Sequence, residues 1–336
     1  MIHKGKNGTA ARFSPPPAIA IFALAFLLPA FPWLSGAVTI PWDAKSQFFP
    51  PVQFLATSIA RREWPWWTPN VFAGWPLIAD PQSLLFSPLH AMLAAASSAV
   101  GLRAFDAVTF AYLFLGGLGV LLFFHDRGWH GGGAVVAAMA FAFGGAASAR
   151  IQHTVEVVSL CWLPLALWLV ARALERRSWR TGVAAGLVCG LLALGRDQVA
   201  LLSLYVVAGF ALTNWISAEH APGARAGLLT LGAAAVTAAA VAAFPVLTSA
   251  LLAARSNRPV IGYDSAAAGS LHPVHLLQLV FADLYGAMSA NQNYWAPQSE
   301  SWDAAWGSPG LYLSQNMGLL YAGALTIAAV LAFGVI

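Results

Sequence analysis

Long apolar blocks with short polar interruptions dominate this chain. A helix of about 20 mainly apolar residues crosses a bilayer. Eight stretches meet or approach that length: 18–38, 107–124, 133–147, 157–174, 181–195, 198–216, 227–253 and 317–336. The third and fifth are short, and the seventh carries Pro245, which is placed to kink it. Two longer stretches that are less uniformly apolar, 39–106 and 254–316, lie between blocks. In the first of them, Pro51–Arg62 and Pro88–Val100 read as helices lying in the membrane interface. The former has Phe54, Leu55 and Ile59 on one side and Arg61 and Arg62 at its end. The pattern predicts an all-α integral membrane protein, a single transmembrane domain over 1–336 with about eight spanning helices.

Composition agrees. Of 336 residues 59% are hydrophobic and only 9% charged, against about 25% charged in a soluble domain. A net charge of +4, thinly scattered, excludes a nucleic-acid surface. Cys161 and Cys189 both sit inside apolar runs and give neither a disulfide framework nor a metal spacing.

The basic residues orient the bundle. With the N-terminus in the cytoplasm, Lys4, Lys6, Arg12, Arg127, Arg172, Arg176, Arg177, Arg180 and Arg225 fall inside. The other Lys and Arg residues spread over about three times as much chain outside, and only Asp126, Glu175 and Glu219 among the acids fall inside. The expected location is a bacterial inner membrane, multipass, with 39–106 and 254–316 as outer loops. Lys4, Lys6 and Arg12 before Ile19–Leu28 also fit the start of a signal peptide, but an uncleaved first helix is the commoner outcome in a multipass chain. The outer loops and their edges hold nine of the fourteen tryptophans, a residue that favours the headgroup layer.

Candidate chemistry collects on that outer side. Asp43 follows the first helix at the water boundary beside apolar neighbours, a setting that suits a general base, a cation ligand or simply a helix cap. Gln47, Asp80 and Gln82 are polar residues of the same loop, the last two in a proline-bounded stretch that is structured but not helical. Arg150, Gln152, His153, Glu156, Arg196, Asp197 and Gln198 mark the outer ends of later helices, where charge is costly and faces a cavity or a partner. Arg196 and Asp197 fit either a substrate site or a salt bridge closing a hairpin. Arg255 and Arg258 run against the positive-inside trend, which fits binding of an anionic headgroup or phosphate. His272 and His275 share a helical spacing without a further ligand. Gly116-Gly117-Leu118-Gly119 lies within a span and reads as a packing surface, not a phosphate loop.

Several strings, in this order, resemble the YfhO-like family of bacterial membrane proteins, grouped with the GT-C fold of glycosyltransferases that use lipid-linked sugars. They are Asp43 through Pro50, Trp67-Thr68-Pro69-Asn70, Gly74-Trp75-Pro76, Asp80-Pro81-Gln82, Phe244-Pro245-Val246-Leu247, Ser256-Asn257-Arg258, and Leu271-His272-Pro273 running to Leu284-Tyr285-Gly286 with Tyr294-Trp295. The resemblance implies a GT-C-like bundle that transfers a sugar from a polyprenyl-phosphate donor to a glycan or lipid acceptor on the non-cytoplasmic face. It implies Asp43 as the catalytic acid residue, acting as base or positioning the acceptor or a divalent cation. It implies Arg196, Arg255 or Arg258 at the donor phosphate, while Gln47, Asp80, Gln82, His153, Glu156 and Asp197 remain as further substrate-binding candidates. Two features depart from the family pattern. The C-terminal part of the pattern is missing after Ile336, and Gln315-Asn316 stands where an acidic residue is often seen. Competing readings are a lipid or small-molecule transporter or flippase, suggested by Pro245 and the short third and fifth spans, and a non-catalytic membrane scaffold.

Overall fold

The structure, a computed structural model, describes residues 15–217, 223–256, 262–263, 273–281, 283–286 and 295. These fall into two compact units, one within Met1–Ala142 and Ile151–Leu252, the other within Phe143–Arg150 and Ala253–Ile336.

Ten α-helices occur among the described residues: α1 Pro15–Ser35, α2 Phe49–Arg61, α3 Pro88–Ala96, α4 Leu102–Asp126, α5 Gly131–Phe143, α6 Gly145–Arg150, α7 Thr154–Arg176, α8 Trp179–Ala193, α9 Gln198–Ser217 and α10 Ala224–Ala254. No strand appears among them; one isolated bridge joins Thr68 to Trp75. Six helical stretches are long and apolar enough to cross a membrane. Five are α1, α4, α7, α9 and α10, and the sixth is Gly131–Arg150, which a bend at Gly144 divides into α5 and α6. At fifteen residues, α8 is apolar but shorter. The expected eighth span, 317–336, lies outside the described residues. Pro245 does not interrupt its helix, which runs on to Ala254.

The first unit is built on glycines. A Cβ on Gly116 would come within 3.2 Å of the Cys161 Cα of α7, and one on Gly119 within 2.8 Å of the Leu165 nitrogen. So α4 and α7 approach closely enough that backbones touch. Without a hydrophobic drive between helices in lipid, such dispersion contacts are what holds spans together. The same glycine string therefore packs as its sequence suggests, with Gly117 seated against the Phe22 ring of α1. On α8, Gly182, Gly186 and Gly190 form a stripe at every fourth residue that meets Thr230, Ala234 and Val241 of α10. Both cysteines are buried between helices.

Charged side chains in this unit gather at two opposite ends. Helix α7 is roughly 34 Å long at 1.5 Å per residue. Its C-terminal end carries Arg172, 3.4 Å from Asp126, and Glu175, 3.3 Å from Arg127. Its N-terminal end carries His153 and Glu156. Hence Asp43, which faces His153, and Arg176 stand at opposite ends of one helix.

The loop after α1 is pinned to the second end. Asp106, buried in the second turn of α4, accepts the Ile40 N–H at 3.1 Å. Helix α3 hangs on α4 through Tyr112, whose hydroxyl meets Ser87 Oγ at 2.7 Å and accepts the Leu89 N–H at 3.1 Å.

Candidate functional site

Asp43 stands at the start of a π-helical turn, Ala44–Phe48, that leads into α2. Trp42 before it has a left-handed backbone, φ 54°, and its carbonyl accepts the Lys45 and Ser46 N–H groups. Wide turns of this kind recur at functional sites because the extra residue re-aims a side chain. Ala44 and Phe48 are buried. Asp43 occupies the N-cap position that the sequence also allowed, but its side chain makes no cap hydrogen bond there.

Its carboxylate instead faces an imidazole 110 positions away. His153 Nδ1 lies 3.7 Å from Asp43 Oδ2, with the two side chains 25% and 42% exposed. That is an open ion-pair distance rather than a hydrogen bond, and catalytic pairs are often loose before substrate arrives. His153 is held by its position as the N-cap of α7. Its Nε2 lies 3.3 Å from the Gln152 amide nitrogen. With that amide donating, Nε2 accepts, which assigns the proton of a neutral ring to Nδ1, the nitrogen nearer Asp43.

The other candidates sort into a supporting frame. Gln47 donates to the Gln82 side-chain carbonyl, joining the π-turn to the proline-rich loop. Asp80 spends its carboxylate within that loop, accepting Trp75 Nε1–H at 2.9 Å and the Gln82 N–H at 2.8 Å. Glu156 accepts from Gln198 at 3.3 Å. Asp197 accepts Ser159 Oγ–H at 2.6 Å and caps α9 through the Ala200 N–H at 2.8 Å. A Cβ on Gly195 would displace Ser159 Oγ and crowd Asp197 Oδ2, so glycine leaves room for that bond.

Arg196 and Asp197 do not pair with each other. Arg196, in a left-handed conformation at φ 55°, turns away from its neighbour. Its guanidinium donates to the Asp80 carbonyl at 3.0 Å, to Ser249 Oγ of α10 at 2.9 Å and to the Leu194 carbonyl at 3.2 Å. It also lies over the Phe86 ring at 5.2 Å. Burial lowers its pKa to about 10, against an upward pull from Asp80. The adjoining cavity, lined by Arg196, Ser87 and Trp162, measures about 20 Å³. That is room for one water and not for a phosphate. Arg196 is thus a clamp that ties the proline-rich loop to α10 and the α8–α9 turn.

Arg255 is exposed beyond α10 and belongs to the second unit. Arg258 and His272 lie outside the described residues. His275 is buried against Gln278, 3.2 Å from its amide nitrogen. Among the described residues no group of three or more His, Cys, Asp or Glu side chains could hold a metal ion. One carboxylate and one imidazole at Asp43 do not make a cation cage by themselves.

Sequence reasoning named both Asp43 and His153 but did not pair them. It did not find Ser159 or Ser249, whose roles depend entirely on tertiary approach. Asp106 carried a readable signal, a carboxylate directly before an apolar run.

These features define a multipass α-helical membrane protein whose first unit carries charged side chains at both ends of α7. No protein-family model matches the chain, and comparisons with curated proteins and with solved structures find no match either.

Proposed function

We propose that this chain is a membrane glycosyltransferase of the GT-C type, resembling the YfhO-like family, that moves a sugar from a polyprenyl-phosphate donor to a glycan or lipid acceptor on the non-cytoplasmic face. The observation that carries the reading is the approach of Asp43 to His153 at the end of the bundle opposite the arginine-rich one. A half-exposed carboxylate beside an imidazole is a proton acceptor that water and an acceptor hydroxyl can both reach.

In this reading the acceptor O–H gives its proton to Asp43, with His153 Nδ1–H holding the carboxylate in place. The acceptor oxygen forms the new bond to the anomeric carbon. The bond from that carbon to the donor phosphate oxygen breaks, and the lipid phosphate leaves with the electron pair. Charge grows on that phosphate, and fixed cations stabilise it. For that role the family resemblance implies Arg196, Arg255 or Arg258. Gln47, Gln82 and Glu156 are further candidates for substrate binding.

The test is transfer of a labelled sugar from a polyprenyl-phosphate donor in proteoliposomes. Product formation that is lost in Asp43→Asn supports the reading. Full activity in Asp43→Asn removes Asp43 from the mechanism. Substrate flux with no covalent product points to a transporter or flippase, and failure to bind any lipid phosphate points to a scaffold.

A further inference from the structure

A second concavity of about 720 Å³ opens beside α2, within the roughly 300–1,000 Å³ typical of small-molecule sites. One wall is a single face of α2: Pro50, Gln53, Phe54, Thr57, Ser58 and Arg61 recur at the three- and four-residue spacing of one helical stripe. Val52, Leu55 and Ala56, between them in sequence, are buried on the other side. The opposite wall brings Trp64, Trp67, Asn70 and Glu63. Trp67 is seated against Gly74, where any Cβ would fall 2.5 Å from its ring. The Thr68–Trp75 bridge holds that loop closed.

The chemistry of the lining is specific. Two indoles give broad apolar faces, while Gln53, Thr57, Ser58 and Asn70 give neutral donors and acceptors. Arg61 and Glu63 have opposite charge, so the groove carries no net attraction for an anion. The side chains of Arg61, Glu63 and Asn70 form no hydrogen bond or ion pair with other described residues. Their polar atoms are available to a ligand. A sugar ring presents C–H groups on its faces and hydroxyls around its edge, which is the complement of this lining. A phosphate headgroup would need an excess of positive charge that is not there.

We propose that this groove binds a neutral oligosaccharide, with Trp64 and Trp67 under the ring faces and Arg61, Glu63 and Asn70 on the hydroxyls. This binding goes beyond the transfer reaction and stands without it; only a role as the acceptor's holding site rests on the transferase reading.

The experiment uses the full chain in phosphatidylcholine nanodiscs, with no donor present. Maltohexaose, cellohexaose and chitohexaose are titrated in turn by calorimetry, and glycerophosphoglycerol is the headgroup probe. Saturable binding of at least one hexasaccharide is expected, weakened roughly tenfold or more in Trp64→Ala and in Asn70→Ala. Asp43→Asn should bind as the parent does, which separates this groove from the transfer site. Absence of binding by all three sugars, equal affinity in Trp64→Ala and Asn70→Ala, or binding of glycerophosphoglycerol in their place would each overturn the proposal.

Discussion

Replacing Arg196 tests the clamp most sharply, because the chemically conservative change should be the worse one. The guanidinium gives charge-assisted bonds to the Asp80 carbonyl and to Ser249 Oγ and lies over Phe86. The first bond is worth about 2 kcal/mol, the second about 1, and the ring contact about 0.5. Ser249 keeps its own donation to the Ala79 carbonyl at 2.7 Å, which limits the loss there. Against these gains, burial holds the guanidinium pKa down to about 10, so the charge itself is kept at a cost. Discounted for a part-exposed group, that cost is about 1.5 kcal/mol. Arg196→Gln loses the bonds but is relieved of the charge, for a net loss of about 2 kcal/mol. Arg196→Lys keeps a charge that is more strongly hydrated and cannot reproduce the fork, for a loss of about 3 kcal/mol. Equilibrium unfolding in mixed dodecyl sulfate micelles, followed by near-UV circular dichroism, measures both. An Arg196→Lys variant as stable as the parent, or an Arg196→Gln cost below about 0.5 kcal/mol, would refute the clamp.

Two further outcomes follow from the packing. His90 in α3 is fully buried, with Nδ1 2.8 Å from Ser87 Oγ, and burial lowers its pKa from 6.5 to about 3. The unfolded chain therefore binds a proton that the folded one does not, and stability falls as pH drops below about 6.5, by about 2 kcal/mol at pH 5. Unfolding midpoints at pH 7 and pH 5 should differ by that much more in the parent than in His90→Phe; equal pH slopes would contradict the assignment. Gly186→Val on α8 should cost about 2–3 kcal/mol by overpacking, since its first added carbon meets the Ala234 carbonyl at 2.3 Å. A neutral result in the same unfolding assay would mean that α8 and α10 do not pack so closely.

What the sequence made legible was set by solvent. Apolar length foretold α1, α4, α7, α9 and α10, and proline followed by apolar spacing foretold α2 and α3 to within a few residues. The Gly116 string announced a packing surface because only small residues allow such an approach. Less was visible where several windings compete over few residues. The π-turn at Ala44–Phe48 and the bend at Gly144 leave no periodic trace. The roles at the site were hardest. Asp43 met the imidazole of His153, and Arg196 was absorbed by a backbone carbonyl 116 positions away. Residue type set the chemistry on offer, and tertiary approach chose the partner.

In the proposed orientation the Asp43–His153 end of the bundle faces away from the cytoplasm and the Arg172–Arg176 end faces in. Cys161 and Cys189 are both buried, so single cysteines can be introduced into the native chain. Ser46→Cys beside Asp43 and Ser178→Cys beside Arg177 are treated with a membrane-impermeant maleimide in intact spheroplasts and again after lysis. The cysteine at position 46 should react in intact cells and the one at position 178 only after lysis. The reverse pattern would place the proposed transfer site in the cytoplasm and contradict it.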